Sequence, residues 1–346
     1  MNSRISADPA SPPQALPRFR LPFLLVQLAF IAALVGLVLF FRGTPEFATL
    51  SITFVSIFLE ALPFMLLGAL IGGFIDVYVS QSVIARMVPA RSLPAVLLAA
   101  GLGMLFPVCE CAIVPVVRRL FNKGLPLGAG IAFLLGGPIV NPLVALSTAV
   151  AYGNDWALAV QRLAYGYLIA VVVALLVERL FSRQTALVDN PPGGSEMADD
   201  ACDCMNVSHR HPRRMVRALH HGASDFIDIS RYLVVGAFVA GVLQTLAARG
   251  DLATLFGSTP LSVLTMMILA LTLSLCSEAD AFVAASFRTT LPVAAQMAFM
   301  VLGPMLDLKL IAMYFKMFRK RLILFLSLST FIIVFLIIMV GSWMKA

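Results

Sequence analysis

Charge is scarce in this chain. Only 12% of its 346 residues are Asp, Glu, Lys or Arg, while 60% are hydrophobic and the mean hydropathy is +0.95. A soluble globular domain carries about 25% charge. No soluble domain of useful size can therefore be cut from this sequence, and an all-α polytopic membrane protein is expected. Cysteine is scarce too. Cys109, Cys111, Cys202, Cys204 and Cys276 form two close pairs and a singleton, which excludes a secreted disulfide framework. No Walker P-loop is present, so ATP is not hydrolysed on this chain, and no cofactor is called for. The net charge of +7 sits in connecting loops rather than in one basic patch. It reads as membrane orientation and contact with lipid headgroups, and nucleic acid is not an expected partner.

What the chain has in abundance is long apolar runs, near 21–41, 49–77, 93–117, 125–150, 156–181, 226–248, 260–287, 291–314 and 322–343. Each exceeds the roughly 20 residues a helix needs to span a bilayer. The first is too long for a signal-peptide core and lacks a small-residue cleavage site, so it is expected to stay as a membrane helix.

The two halves resemble each other at an offset of 166–168 residues. Phe58-Leu59-Glu60 with Gly68 matches Phe226-Ile227-Asp228 with Gly236, and Cys109 matches Cys276. Leu125-Pro126 matches Leu291-Pro292, and Gly137-Pro138-Ile139-Val140-Asn141 matches Gly303-Pro304-Met305-Leu306-Asp307. Acid-for-acid and Cys-for-Cys matches in order make chance a poor explanation. Internal repeats are the habit of secondary transporters, with substrate bound where the repeats meet. If all nine runs cross, Lys and Arg divide evenly between the two sides, against the positive-inside rule. If 93–117 and 260–287 fold as re-entrant hairpins, the outer side keeps only Arg42, Arg249, Arg288 and Lys345. A rival model places the re-entrant turns at Gly136-Gly137-Pro138 and Gly303-Pro304. Both models predict an inverted repeat of helices with re-entrant or broken segments. The chain then divides into an N-terminal cytoplasmic tail (1–20), an extra transmembrane helix and loop (21–48), a first repeat (49–181), a polar cytoplasmic loop (182–225) and a second repeat (226–346).

Four constellations carry candidate chemistry. In Phe106-Pro107-Val108-Cys109-Glu110-Cys111-Ala112-Ile113-Val114-Pro115, two thiols flank a carboxylate between two prolines. Proline breaks the helix there, and free backbone with an ionisable group persists at membrane depth only inside protein or along a cavity. The repeat mate is Cys276-Ser277-Glu278-Ala279-Asp280. If the two segments meet, Cys109, Cys111 and Cys276 converge with Glu110, Glu278 and Asp280; otherwise each Cys is a small core hydrophobe. Extended backbone would point Cys109 and Cys111 the same way, whereas on a helix they diverge by about 200°; the prolines favour the first. The second constellation is the pair of Gly-Pro breaks with Asn141 and Asp307, where Lys309 is placed to neutralise Asp307. These either line the path or merely kink helices. In the third, Asp228 and Arg231 are spaced to pair on one helix face, while Glu60 has no local partner and is a candidate proton carrier. In the fourth, the long loop holds Cys202, Cys204, His209 and His211, then His220-His221. These could hold Zn²⁺ or Cu⁺, or the loop is a linker with incidental thiols.

The Pro107–Pro115 core, Gly124-Leu125-Pro126-Leu127-Gly128-Ala129, Gly137-Pro138-Ile139-Val140-Asn141-Pro142 and Leu302-Gly303-Pro304-Met305-Leu306-Asp307-Leu308-Lys309 resemble the ArsP/YraQ-type predicted permease family over roughly 50–340. The resemblance implies an inner-membrane permease. One branch exports trivalent organoarsenicals and a neighbouring branch is associated with copper or zinc efflux. Cys109-Glu110-Cys111-Ala112 is similar to the family's Cys-x-Cys-Ala, and Cys276-Ser277-Glu278-Ala279-Asp280 to the Cys-x-Glu-Ala-Asp of the metal-efflux branch.

The expected function is export of a thiophilic metal ion or metalloid, driven by the proton gradient, by a transporter that is not an enzyme. Cys109, Cys111 and Cys276 would be soft ligands, Glu110, Glu278 and Asp280 would supply charge or carry protons, and Asn141 and Asp307 would line the path. Membrane lipid and a small ion or metalloid are the expected partners, and a homo-oligomer is compatible with the sequence. The alternative is a membrane thiol oxidoreductase cycling Cys109 and Cys111 through a disulfide. The loop's basic residues and its Pro191-Pro192-Gly193-Gly194 start place Cys202 in the cytoplasm. An impermeant thiol reagent added to intact cells is expected to leave Cys202 unlabelled; strong labelling would reverse the topology.

Overall fold

The computed structural model describes residues 45–78, 80, 92–105, 109–188, 211–247 and 258–344, of which 45–49, 92, 211–214, 217 and 243–247 are described by their backbone only. The chain divides into two units, 1–49 and 50–346. Of the first, only Pro45–Thr49 are described, as helix. The second unit carries everything that follows.

The elements are α1 (Pro45–Tyr78), α2 (Ser92–Gly101) with a 3₁₀ turn (Leu102–Met104), α3 (Glu110–Asn122), α4 (Leu127–Gly136), α5 (Pro142–Ala151), α6 (Trp156–Leu180), a one-turn α7 (Arg183–Ala186), α8 (His211–Ala247), α9 (Thr259–Leu273), α10 (Ala279–Ser286), α11 (Val293–Met305), α12 (Leu308–Tyr314) and α13 (Lys320–Trp343). Among the described residues, four helical stretches are long and apolar enough to cross a membrane: Leu50–Tyr78, Trp156–Leu180, Val293–Tyr314 (α11 and α12 with the break between them) and Lys320–Trp343. The apolar run at 21–41 lies outside the described residues. The stretch 211–225, read from sequence as the end of a polar loop, is already helical and belongs to α8.

Element order repeats across the two halves. Each has a long helix, two pairs of short helices and a second long helix: α1, α2/α3, α4/α5, α6, and then α8, α9/α10, α11/α12, α13. Packing repeats with it. α2 lies on α4 as α9 lies on α11, α4 on α6 as α11 on α13, and α3 on α4 as α10 on α11. The halves also reach into each other reciprocally: α3 packs on α12 of the second half, and α10 on α5 of the first.

From sequence, either 93–117 and 260–287 or the two Gly-Pro segments were expected to be interrupted. The structure interrupts all four. A ten-residue helix such as α2, α4 or α5 is about 15 Å long, half the hydrocarbon thickness. Three of the breaks show a local cause. Pro142 at the first position of α5 has no N–H to lose, and Asn141 caps that helix, its Oδ1 accepting from Leu143 N at 2.9 Å. Asp307 does the same for α12, accepting from Leu310 N at 2.6 Å. Ser274 ends α9 in the left-handed region at φ 49°, a conformation that costs a non-glycine residue about 1–2 kcal/mol.

Breaking helices at membrane depth frees carbonyls that lipid cannot satisfy. Arg162 of α6, fully buried, answers two of these needs. Pro304 has no N–H to give to Met300 O, four residues before it. Arg162 supplies the donors instead, from Nε at 3.1 Å and Nη2 at 2.9 Å. Nη2 also donates to Ser277 O at 2.8 Å, in the unwound segment between α9 and α10, and Nη1 to Thr148 Oγ1 at 2.8 Å. Each buried carbonyl left without a donor costs about 1–3 kcal/mol. Arg162→Leu is therefore expected to lower the unfolding temperature in detergent and the membrane-inserted yield, with Arg162→Lys intermediate. An Arg162→Leu protein as stable as the wild type in a thermal melt would contradict this role.

Candidate transport site

The Cys-Glu-Cys segment sits at a helix start. Cys109 caps α3 in extended conformation (φ −74°, ψ 168°), and Glu110 opens the helix. The pair thus straddles the break: Cys109 is extended and Cys111 helical. This differs from the expectation of extended backbone across both, because the helix begins between them. The two thiols nevertheless lie within electrostatic reach of each other. Cys109, Glu110 and Cys111 are all buried, and both thiols are free. A carboxylate in the first turn of α3 is favoured by the helix dipole, but dipole alone does not compensate a buried charge.

Compensation comes from 199 residues away. Lys309 Nζ lies 2.9 Å from Glu110 Oε1. It donates also to Ser274 O at 3.2 Å and stands 3.5 Å from Asp307 Oδ2. The expectation that Lys309 neutralises its neighbour Asp307 is half met: Glu110 holds the hydrogen bond, and Asp307 sits beyond good hydrogen-bond range. Lys309, Glu110 and Asp307 are all buried.

The second half presents a related arrangement. Asp280 lies in the first turn of α10, as Glu110 does in α3, and is 1% exposed. Its carboxylate rests against Gly303, where a Cβ would meet Asp280 Oδ2; glycine is what lets the acid approach this break. Asp280 is within electrostatic reach of Arg162, Glu110, Lys309 and Asp307. Glu278, half-buried, accepts from Ser277 Oγ at 3.3 Å. Cys276 is within electrostatic reach of Glu60 of α1 and of Glu110. Glu60, for which the sequence offered no local partner, thus faces the second half.

Asn141 and Asp307 occupy matching positions and make matching caps. Each keeps a second polar atom, Asn141 Nδ2 and Asp307 Oδ2, buried with no hydrogen-bond partner, as do Glu110 Oε2 and Asp280 Oδ2. Three fully buried carboxylates, Glu110, Asp280 and Asp307, share the neighbourhood of two buried cations, Lys309 and Arg162. If all are ionised, the network is one positive charge short.

Other expectations are met differently. Among the described residues, no group of three or more His, Cys, Asp or Glu side chains gathers closely enough to hold a metal ion. Cys202, Cys204 and His209 lie outside the described residues, as does the side chain of His211. Asp228 pairs with Lys316 at 3.0 Å rather than with Arg231, because α8 turns that face toward the end of α12. A second ionic cluster escaped sequence reasoning. Asp225 binds Arg118 at 3.1 Å and also Arg119, while Asp76 binds Arg119 at 3.0 Å and Lys123 at 3.3 Å, joining α1, α3 and α8. Arg162 was missed as well. Its partners are carbonyls, which leave no mark in side-chain sequence; an Arg inside an apolar run was the available signal.

The family model described as a predicted permease, ArsP_1, matches residues 46–343. The UPF0718 protein YcgR of Bacillus subtilis is 37% identical over 297 residues, covering 86% of this chain and 97% of that one. A Streptococcus mutans protein named "Putative two-component membrane permease complex subunit" is 36% identical over 291 residues, covering 83% and 93%. The UPF0718 protein YraQ of Escherichia coli is 25% identical over 125 residues, covering 36% and 35%. No solved structure matches. The buried charges between broken helices and the match over nearly the whole helical unit agree: this chain belongs to the ArsP_1 predicted permease family and is a multi-pass protein of the plasma membrane.

Proposed function

We propose that this permease is a secondary transporter exporting a thiophilic cation or metalloid species, with the Cys109–Cys111 thiol pair as its soft ligands and the buried carboxylates balancing charge. The observation that carries the reading is that pair, free and buried at a helix break beside Glu110. Two adjacent thiols suit a species that takes two sulfurs, such as Cu⁺ or a monomethylated As(III). The missing positive charge in the network is what a cargo cation or a proton would bring, and Glu60, Glu278 and Asp280 are the proton-coupling candidates. Cys276, within electrostatic reach of Glu110 and Glu60, is a further soft ligand along the path. In this reading the two halves are inverted and related by an axis in the membrane plane, so that alternate packing of the reciprocal α3/α12 and α10/α5 contacts opens the site to either side.

A second reading draws on the same thiol contact. Cys109 and Cys111 also meet the first need of a dithiol–disulfide couple, which would make the protein a thiol oxidoreductase. Everted vesicles separate the two. Wild-type vesicles are expected to accumulate Cu⁺ or monomethylarsenite, and Cys109→Ser and Cys111→Ser each to abolish accumulation at unchanged expression, since a hydroxyl is a poor ligand for soft ions. Glu110→Gln should impair the cation more than the uncharged arsenical. Full accumulation by the double serine variant would make the thiols packing residues. Failure of the wild type to move either cargo, with a Cys109–Cys111 disulfide forming and breaking on redox titration, would favour the oxidoreductase.

A further inference from the structure

We infer that Lys309 is a tethered competitor for the cargo cation: it holds the cation position at Glu110 when the site is empty and moves to Asp307 when cargo arrives. This rests on the reading of Glu110 and its flanking thiols as the cargo site.

The ammonium of Lys309 faces three oxygens from three separate segments. These are Glu110 Oε1 on α3 at 2.9 Å, the carbonyl of Ser274 at the end of α9 at 3.2 Å, and Asp307 Oδ2 before α12 at 3.5 Å. These oxygens make a region of negative potential that favours one cation at a time, the ammonium or a cargo ion bound at the neighbouring thiols. A buried carboxylate with no counter-charge is strongly unfavourable, so an empty site with Glu110 ionised needs a resident cation. Lys309 supplies it without leaving the protein.

Asp307 provides the destination. Its Oδ1 is committed to Leu310 N, and its Oδ2 is buried with no hydrogen-bond partner. That oxygen lies a few tenths of an ångström beyond hydrogen-bond range of Lys309 Nζ. A small rotation of the side chain exchanges one carboxylate for the other while the bond to Ser274 O is kept. The backbone of Lys309 is closely packed on Gly236 of α8, where a Cβ would collide with its Cα. The inferred movement is that of the side-chain stem.

Comparison of the halves isolates this device. Asn141 matches Asp307, and both cap the helix that follows. At the repeat offset that aligns them, Leu143 stands where Lys309 does. The first half therefore keeps the cap and the break without the ion pair. The additional Asp–Lys couple is not needed to build the break, since Asn141 and Leu143 suffice for that in the other copy.

The test is the concentration dependence of Cu⁺ uptake by everted vesicles. Removing a competitor while also removing the group that expels cargo should lower KM and Vmax together. Lys309→Met is expected to lower KM at least threefold and Vmax about tenfold. Asp307→Asn, which takes away the destination, is expected to raise KM severalfold in the wild-type background and to leave KM unchanged in the Lys309→Met background, because Asp307 acts through Lys309. A residue serving only to hold the fold would leave KM unchanged or raise it. Lys309→Met with KM unchanged or raised overturns the proposal, as does an undiminished effect of Asp307→Asn in the double variant. If Lys309→Met does not reach the membrane, Lys309→Arg carries the test. Its bulkier, forked cation is expected to raise KM, and an unchanged KM overturns the proposal. Wild-type vesicles that carry monomethylarsenite but not Cu⁺ sink the cation competition alone. Wild-type vesicles that carry neither sink the cargo reading, and this inference with it.

Discussion

Everything in this molecule depends on one constraint: a polypeptide backbone inside a bilayer has no water to satisfy it. A chain that breaks its helices four times at that depth must bring its own donors and acceptors. It does so with two buried cations and two caps. Arg162 takes the carbonyl that Pro304 abandons and another at the unwound segment after α9, and Lys309 takes Ser274 O. Asn141 and Asp307 close the N-termini of the half-helices that follow the Gly-Pro breaks. The cations then require carboxylates, and Glu110, Asp280 and Asp307 supply them. The polar centre is in this sense a consequence of the breaks.

The two halves share a scaffold but not a charge pattern. Both start a half-helix with a carboxylate in the first turn, Glu110 and Asp280. Both place a Cys before it. From there they diverge. The first half carries two thiols beside its carboxylate; the second carries one, near Glu60 of the first half. The first half contributes Arg162 from a long helix, while the second contributes Lys309 from a short one. Symmetry gives the transporter its interlocking frame, and the departures from symmetry give the site chemical direction.

The ionic cluster of Asp76, Arg118, Arg119, Lys123 and Asp225 lies at the other end of α3 from the thiols. α3 is thus held at both ends, by Lys309 at Glu110 and by α1 and α8 at its basic C-terminal turn. It is a helix of 13 residues between two charged anchors, with Pro115 inside it.

Much of this was legible from residue order. Scarce charge and long apolar runs meant a helical membrane protein. The matched Cys109/Cys276 and Asn141/Asp307 pairs meant two related halves, and proline beside glycine marked the breaks, since these effects are local to the backbone. Ser274 shows the limit, for a left-handed serine that ends a helix has no neighbouring Pro or Gly to announce it. Pairings escaped entirely. Glu110 with Lys309, Glu60 with Cys276, and Asp228 with Lys316 instead of Arg231 join segments far apart in the chain, and a long-range contact costs the same whichever charged residue supplies it, so order alone does not choose. The carbonyls held by Arg162 are the extreme case. Every residue has a carbonyl, and only the placement of α6 beside α11 and the unwound segment after α9 brings Met300 O and Ser277 O to the same arginine.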